Sequence, residues 1–278
     1  MENYVVGQLN GGCGNQFYQI ATSYAYSRMY DLKHYVTSNA ENSYNNKSYF
    51  KNIPTLDFAK NHIFEDLDSD GCTYYQDLPK INDVMLHGYW QCFRYFVDYR
   101  KDLLELFDLP YNKKEGYASI HIRRGDFLCD EKNITILPLD YYRSCIYYMI
   151  ERGIRKFLIF SDDMECKLIF NDYFYEGVTF EFSEGKDELE DLSLMSSCEH
   201  NILANSTLSY ASSWFNRNDD KIILSPDESK MYKGYNKNMI PIEFIKNAFG
   251  YYNSYYWFVF SLQKIQVKRN KSYQFGYG

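Results

Sequence analysis

Tyr117-Ala118-Ser119-Ile120-His121-Ile122-Arg123-Arg124-Gly125-Asp126 is the stretch that decides the fold. Its first six residues alternate as a half-buried β-strand does. A period of two puts His121 and Arg123 on one face and sends Arg124 to the other. Gly125 lets the chain turn at once, with Asp126 beside it. Two guanidinia and an imidazole leaving the carboxyl end of a strand suit an anion, because guanidinium is always charged and grips phosphate with paired donors. The plainer alternative is two solvated arginines in a loop.

Strands and helices alternate on the C-terminal side of this stretch. A helix is predicted over 139–152, stopped by Gly153, and a strand over 156–161, closed by Asp162-Asp163. A short helix over 164–171, a strand over 178–182 and a helix over 189–198 follow. A buried strand at 201–204, a helix at 207–215 and a strand at 221–224 end the series. At the N-terminal end, Tyr4-Val5-Val6 reads as a strand, 10–15 as a glycine-rich loop and 16–30 as a helix. That loop is neither a dinucleotide fingerprint nor a Walker loop: Phe17 stands where a third glycine should, and no Gly-Lys-Ser/Thr follows. Residues 39–82 are polar and give no order. The alternation predicts an α/β chain built as two Rossmann-like domains facing a cleft, divided near 108–115.

The bulk composition fits an ordinary globular protein of one large or two modest domains: 278 residues, 45% hydrophobic and 24% charged. A net charge of −7 argues against nucleic acid as a partner, so the arginines are a local feature on an acidic body. The seven cysteines are odd in number and form no C-x-x-C, which suggests neither zinc nor a disulfide framework and fits a reduced, cytoplasmic setting. The N-terminus shows no signal-peptide pattern, and no apolar run is long enough to span a membrane. Residues 247–278 form an aromatic and basic tail with two readings. It rests weakly on a membrane surface, or it packs as a helix across the other domain; packing is favoured.

Ligands of open α/β sheets sit beyond the carboxyl ends of strands. Three features fall there: His121/Arg123/Arg124/Asp126, Ser161-Asp162-Asp163 and Asn205-Ser206-Thr207. The last opens a helix and offers backbone N–H groups and hydroxyls to a phosphate, or else is a plain N-cap. The two aspartates are a metal pair for a sugar nucleotide or simple helix caps; caps are favoured.

Three blocks carry a family resemblance. Gly11-Gly12-Cys13-Gly14-Asn15-Gln16-Phe17, His121-Ile122-Arg123-Arg124-Gly125-Asp126-Phe127, and 191–198 through 205–210 resemble, in order, the signature blocks of the α-1,2-fucosyltransferases of glycosyltransferase family 11. The resemblance implies a GT-B-like fold and an inverting transfer of L-fucose from GDP-β-L-fucose to a glycan hydroxyl, forming an α-1,2 linkage to galactose. It implies no metal and no cofactor. Residues 1–110 would then be the acceptor-side domain and 111–246 the GDP-sugar-binding domain. By the same matching, Arg123 holds the β-phosphate, His121 and Asp191 approach the guanosine, and Asn205, Ser206 and Thr207 approach the phosphates. Gly12, Gly14, Asn15 and Gln16 reach the donor from the opposing domain. Cys13 departs from the usual aliphatic, and Tyr210-Ala211 from a frequent pair of tryptophans.

The chemistry agrees with the residues. Breaking the sugar–phosphate bond leaves a negative diphosphate, and fixed cations lower the barrier by meeting that charge as it develops. Arg123, Arg124 and Asp126 are the catalytic candidates. Asp126 is either the base for the acceptor hydroxyl or the residue that orients Arg124. The alternatives are another GDP-linked 6-deoxyhexose, another fucose linkage, or an inactive sugar-nucleotide-binding module.

Overall fold

The computed structural model describes residues 3–41, 48–65, 75–125, 137, 139–163, 166, 176–226, 239–241, 265–268 and 272–275. Two parallel sheets form the frame, which bears out the α/β expectation. The first is built from β1 (Tyr4–Gly7), β2 (Lys33–Val36), β3 (Asn61–Phe64) and β4 (Val84–His87), in the order β2-β1-β4-β3. The second is built from β5 (Lys114–Ile122), β6 (Lys156–Ser161), β7 (Thr179–Phe182), β8 (Cys198–Ile202), β9 (Ile223–Ser225) and β10 (Met239–Pro241), in the order β10-β9-β8-β5-β6-β7. The strands of the two sheets do not interleave along the chain.

Helix α1 (Cys13–Tyr30) leaves β1 after Gly11 and Gly12. It begins three residues earlier than its sequence predicts, so Gly14 and Asn15 lie in its first turn rather than in a loop. It is buried on almost all sides. Its polar side chains are spent internally: Gln19 donates to the Gly88 carbonyl at 3.1 Å and accepts from the Asn10 amide at 2.9 Å. A left-handed Asp31 (φ 55°) ends the helix. Three further helices matter here: α2 (Arg100–Phe107), α3 (Leu139–Ile150) and α4 (Glu188–Ser197). A last one, α5 (Thr207–Phe215), lies against α1. Gly153, at φ 84°, closes α3 as expected.

One core joins the two sheets. Phe17 of α1 meets Trp214 and Phe215 of α5 at ring centroid distances of 5.0 Å, and Phe96 and Phe107 at 5.5 and 5.4 Å. Tyr210 and Ala211, the departure from the family pattern, sit in this same core, both nearly fully buried. A second core, centred on α3, backs the other face of the second sheet through Ala118, Ile120 and Ile122.

Of the tail, the described segments Ile265–Lys268 and Ser272–Phe275 pair as an antiparallel ribbon, not as the helix expected there. Residues 269–271 between them and the aromatic run before them lie outside the described residues. So do Asp126 and, apart from Cys166, the helix expected over 164–171. Cys13, Cys92, Cys145, Cys166 and Cys198 are buried and form no disulfide with one another. No helix among the described residues is long and apolar enough to cross a membrane.

Candidate active site

The three strand-end features converge. β6, β5 and β8 are neighbours, with Ile122 opposite Ser161 and Ile120 opposite Ile202. Asp162, Arg123 and Asn205-Ser206 therefore leave the sheet side by side.

Asp162 organises the turn. One carboxylate oxygen pairs with Arg123 Nη1, and the other accepts the Arg124 amide at 2.8 Å. A Cβ at Gly125 would fall 2.5 Å from an Asp162 carboxylate oxygen, so any larger residue there displaces the carboxylate that holds Arg123. The Arg123 side chain is about one quarter exposed, 24%. Arg124 is different. The face assignment read from the sequence holds, but its guanidinium is 1% exposed and pairs with Asp163 at 3.0 Å. Its charge acts on Tyr142 of α3 and on Cys166. Arg124 thus braces the turn from inside, where it was expected among the catalytic groups. Sequence reasoning missed both aspartates as arginine partners, because the pairing depends on the β5–β6 register.

His121 shares the Arg123 face and is 5% exposed. Burial pushes its imidazole down to about 4, with Arg123 adding to the shift and Asp162 opposing it. The ring is neutral at neutral pH, and its Nδ1 has no hydrogen-bond partner among the described residues. A buried ring nitrogen left open in this way is suited to a ligand. Asp191 lies in the first turn of α4 and accepts from the Ser183 hydroxyl at 2.7 Å. Burial raises its carboxyl above the usual range, and the Ser183 hydrogen bond works against that rise.

Two helix N-termini meet from opposite sheets. A Cβ at Gly14 would fall 2.2 Å from the Leu208 amide nitrogen and 2.6 Å from Thr207 Oγ1, so only glycine admits α5 at this distance. Gly12 caps α1 and Ser206 caps α5. Neither helix has a side-chain cap or an acidic residue in its first turn. Ser206 is therefore not the plain N-cap that the sequence allowed. By contrast, α4 is capped by Asp187 and opens with Glu188, Glu190 and Asp191. Two uncompensated positive helix ends beside Arg123 form an anion-attracting corner.

The glycine loop is braced rather than free. Gln16 is fully buried, donating to the Gly11 carbonyl at 3.0 Å and accepting the Tyr49 amide at 3.0 Å. Its expected donor contact gives way to this bracing. Asn15 Oδ1 accepts from Gln91 at 3.0 Å. Gln91 follows Trp90, which is buried at a left-handed φ of 55°. No motif marks residues 88–91, so nothing in the sequence pointed to them.

Comparison with known proteins agrees with the blocks. The model of glycosyl transferase family 11 matches residues 4–242. The chain is 29% identical over 263 residues to an alpha-1,2-colitosyltransferase of Escherichia coli, covering 80% of this chain and 91% of that protein. It is 35% identical over 155 residues to the O-antigen biosynthesis glycosyltransferase WbnK of Escherichia coli, covering 51% of this chain and 50% of that one. Among solved structures it is similar to the fucosyltransferase NodZ from Bradyrhizobium, with a TM-score of 0.43 and 14% identity over 77% of this chain and 93% of that chain. Since the family match takes in both sheets, the glycine loop and the arginine turn, this chain belongs to glycosyltransferase family 11.

Proposed function

We propose that the chain transfers L-fucose from GDP-β-L-fucose to a galactose hydroxyl of a glycan, with inversion, forming an α-1,2 linkage. The observation that carries this reading is Arg123, held by Asp162 at the strand end beside two uncapped helix N-termini. In the reaction the diphosphate departs as the sugar–oxygen bond breaks. Arg123 and the N-terminus of α5, through Ser206 and Thr207, receive its growing charge. Neutral His121 and ionised Asp191 bind the guanosine, the carboxylate accepting from the guanine N–H edge. Asn15 and the backbone at Gly12 face the sugar from the other sheet. No metal takes part: Asp162 and Asp163 are engaged by Arg123 and Arg124.

A second reading has specific support. The relative named an alpha-1,2-colitosyltransferase matches most of this chain. Its name agrees with the α-1,2 linkage but favours a deoxyhexose other than fucose. Turnover of GDP-fucose against GDP-colitose, with product linkage read by NMR, decides between the two donors. GDP calorimetry tests the site itself: His121→Ala and Asp191→Asn each weaken GDP at least tenfold, while Asn15→Ala impairs transfer more than GDP binding. Equal loss of GDP affinity in all three contradicts this division of labour. The raised carboxyl of Asp191 also means that acidification removes its charge early, so GDP affinity falls as pH drops.

A further inference from the structure

The first sheet carries an aromatic and imidazole cluster that donor binding leaves unused. His62 and Phe64 stand two residues apart on β3, and His87 lies opposite Phe64 on β4. The three rings are close to parallel. Phe64 and His87 stack at 4.9 Å and 16°, His62 and Phe64 at 6.3 Å and 24°, and His62 and His87 lie at 4.9 Å and 35°. Phe64 is nevertheless 67% exposed, so its ring keeps accessible apolar surface at the end of the strand.

The hydrogen bonds fix the protons of the cluster. His87 Nδ1–H donates to Gln8 Oε1, so His87 Nε2 accepts from His62 Nδ1–H at 2.7 Å. His62 is exposed, and with Nδ1–H given to His87 its Nε2 is the acceptor nitrogen of the ring. Burial and the neighbouring His62 hold His87 below the usual imidazole range, while Glu41 works the other way.

Position ties the cluster to the reaction. It sits at the carboxyl ends of β3 and β4, the edge from which the glycine loop leaves β1. Gln8, which anchors His87, lies two residues before Asn10 and donates its amide to Leu86 at 3.1 Å. Gln8 thus links the cluster to the segment that runs on into the glycine loop and the start of α1.

We propose that Phe64, His62 and His87 form the subsite for the acceptor's hexose ring. The apolar C–H face of the pyranose lies on the exposed face of Phe64, whose π-cloud attracts those hydrogens. A hydroxyl of the sugar donates to His62 Nε2. This deepens the proposed transfer to a galactose-terminated glycan and rests on it. A panel one ring wide, flanked by polar nitrogens, fits a single sugar better than the broad apolar core of a protein interface.

The probe is N-acetyllactosamine. Binding is read by saturation-transfer NMR, KM and kcat by transfer from the GDP-sugar, and GDP affinity by calorimetry. Phe64→Ala is expected to raise the acceptor KM at least tenfold and abolish the NMR signal. Phe64→Tyr restores both, and GDP affinity stays within twofold. A KM and an NMR signal unchanged by Phe64→Ala overturn the proposal. So does a dimer in sedimentation velocity that Phe64→Ala splits without altering KM, which assigns the face to a second copy of the chain. If wild type binds no GDP, the donor reading fails, and the NMR arm still decides the subsite. If wild type binds GDP but not the disaccharide, the subsite proposal falls and the donor reading stands.

Discussion

Asp162 and Arg123 form an ion pair whose second carboxylate oxygen fixes the Arg124 amide at 2.8 Å. A single side chain just past the end of β6 thus holds both the guanidinium and the backbone of the turn that ends β5. The arginine is held in place without a ligand, and in the proposed transfer this would spare reorganisation as the diphosphate departs.

Arg123→Lys is expected to fold normally and lose about a hundredfold or more in turnover, on the order of 3 kcal/mol of transition-state stabilisation. Lysine keeps the charge but lacks the planar fork. Steady-state rates beside circular dichroism check this. Turnover within threefold of wild type removes Arg123 from the diphosphate.

Excess EDTA is expected to leave the rate unchanged. Asp162→Asn, which keeps the shape but releases Arg123, should lower it. Restoration of a chelated enzyme by Mg²⁺ or Mn²⁺ would make Asp162 and Asp163 ligands and overturn the metal-free mechanism.

Gly14→Ala should be costly and Gly12→Ala mild. The added methyl at Gly14 meets the backbone of Thr207 and Leu208, which cannot swing aside, whereas nothing lies within 4 Å of one at Gly12. Overpacking of this kind costs about 1–3 kcal/mol. Melting temperatures of the two variants measure the difference, and equal values contradict the close docking of α5 on α1.

Stability is expected to fall on mild acidification. Burial lowers His34 to about 3 and His121 to about 4, and also lowers His87 and His200. Their unfolded values lie near 6.5, so below that pH the unfolded chain binds more protons than the folded one. The stabilisation is complete above about pH 6.5 and is lost as pH drops toward the folded values, by up to ~1.4 kcal/mol per pH unit for each histidine. Asp191, raised by burial, acts in the opposite sense. Denaturant midpoints from pH 7.5 to 4.5 test the balance, and His34→Gln should flatten the curve. A midpoint that rises on acidification refutes it.

Much of the second sheet was legible because β5, β6 and β7 alternate or run apolar between clear stops, and α5 opens on Ser206. The first sheet was largely not. Lys33-His34-Tyr35-Val36 and Asn61-His62-Ile63-Phe64 are four-residue strands carrying polar residues, and their pairing comes from β1 and β4 rather than from a local pattern. The start of α1 was hidden by Gly12, Gly14 and Asn15, poor helix formers, of which Gly14 stands where α5 presses close. At the site, residue types and faces were readable, but not burial. Arg124 lies inside because Asp163, 39 residues away, meets it there, and Gln16 is spent on Tyr49, another contact between distant parts of the chain.

The contact of Phe17 with Trp214 and Phe215 ties the two halves together, so they are expected to melt as one unit. Cutting the chain between the sheets strips α5 of its aromatic partners and leaves Tyr210, Trp214 and Phe215 facing water. A chimera that exchanges the first sheet with that of a relative must bring a matching partner for α5.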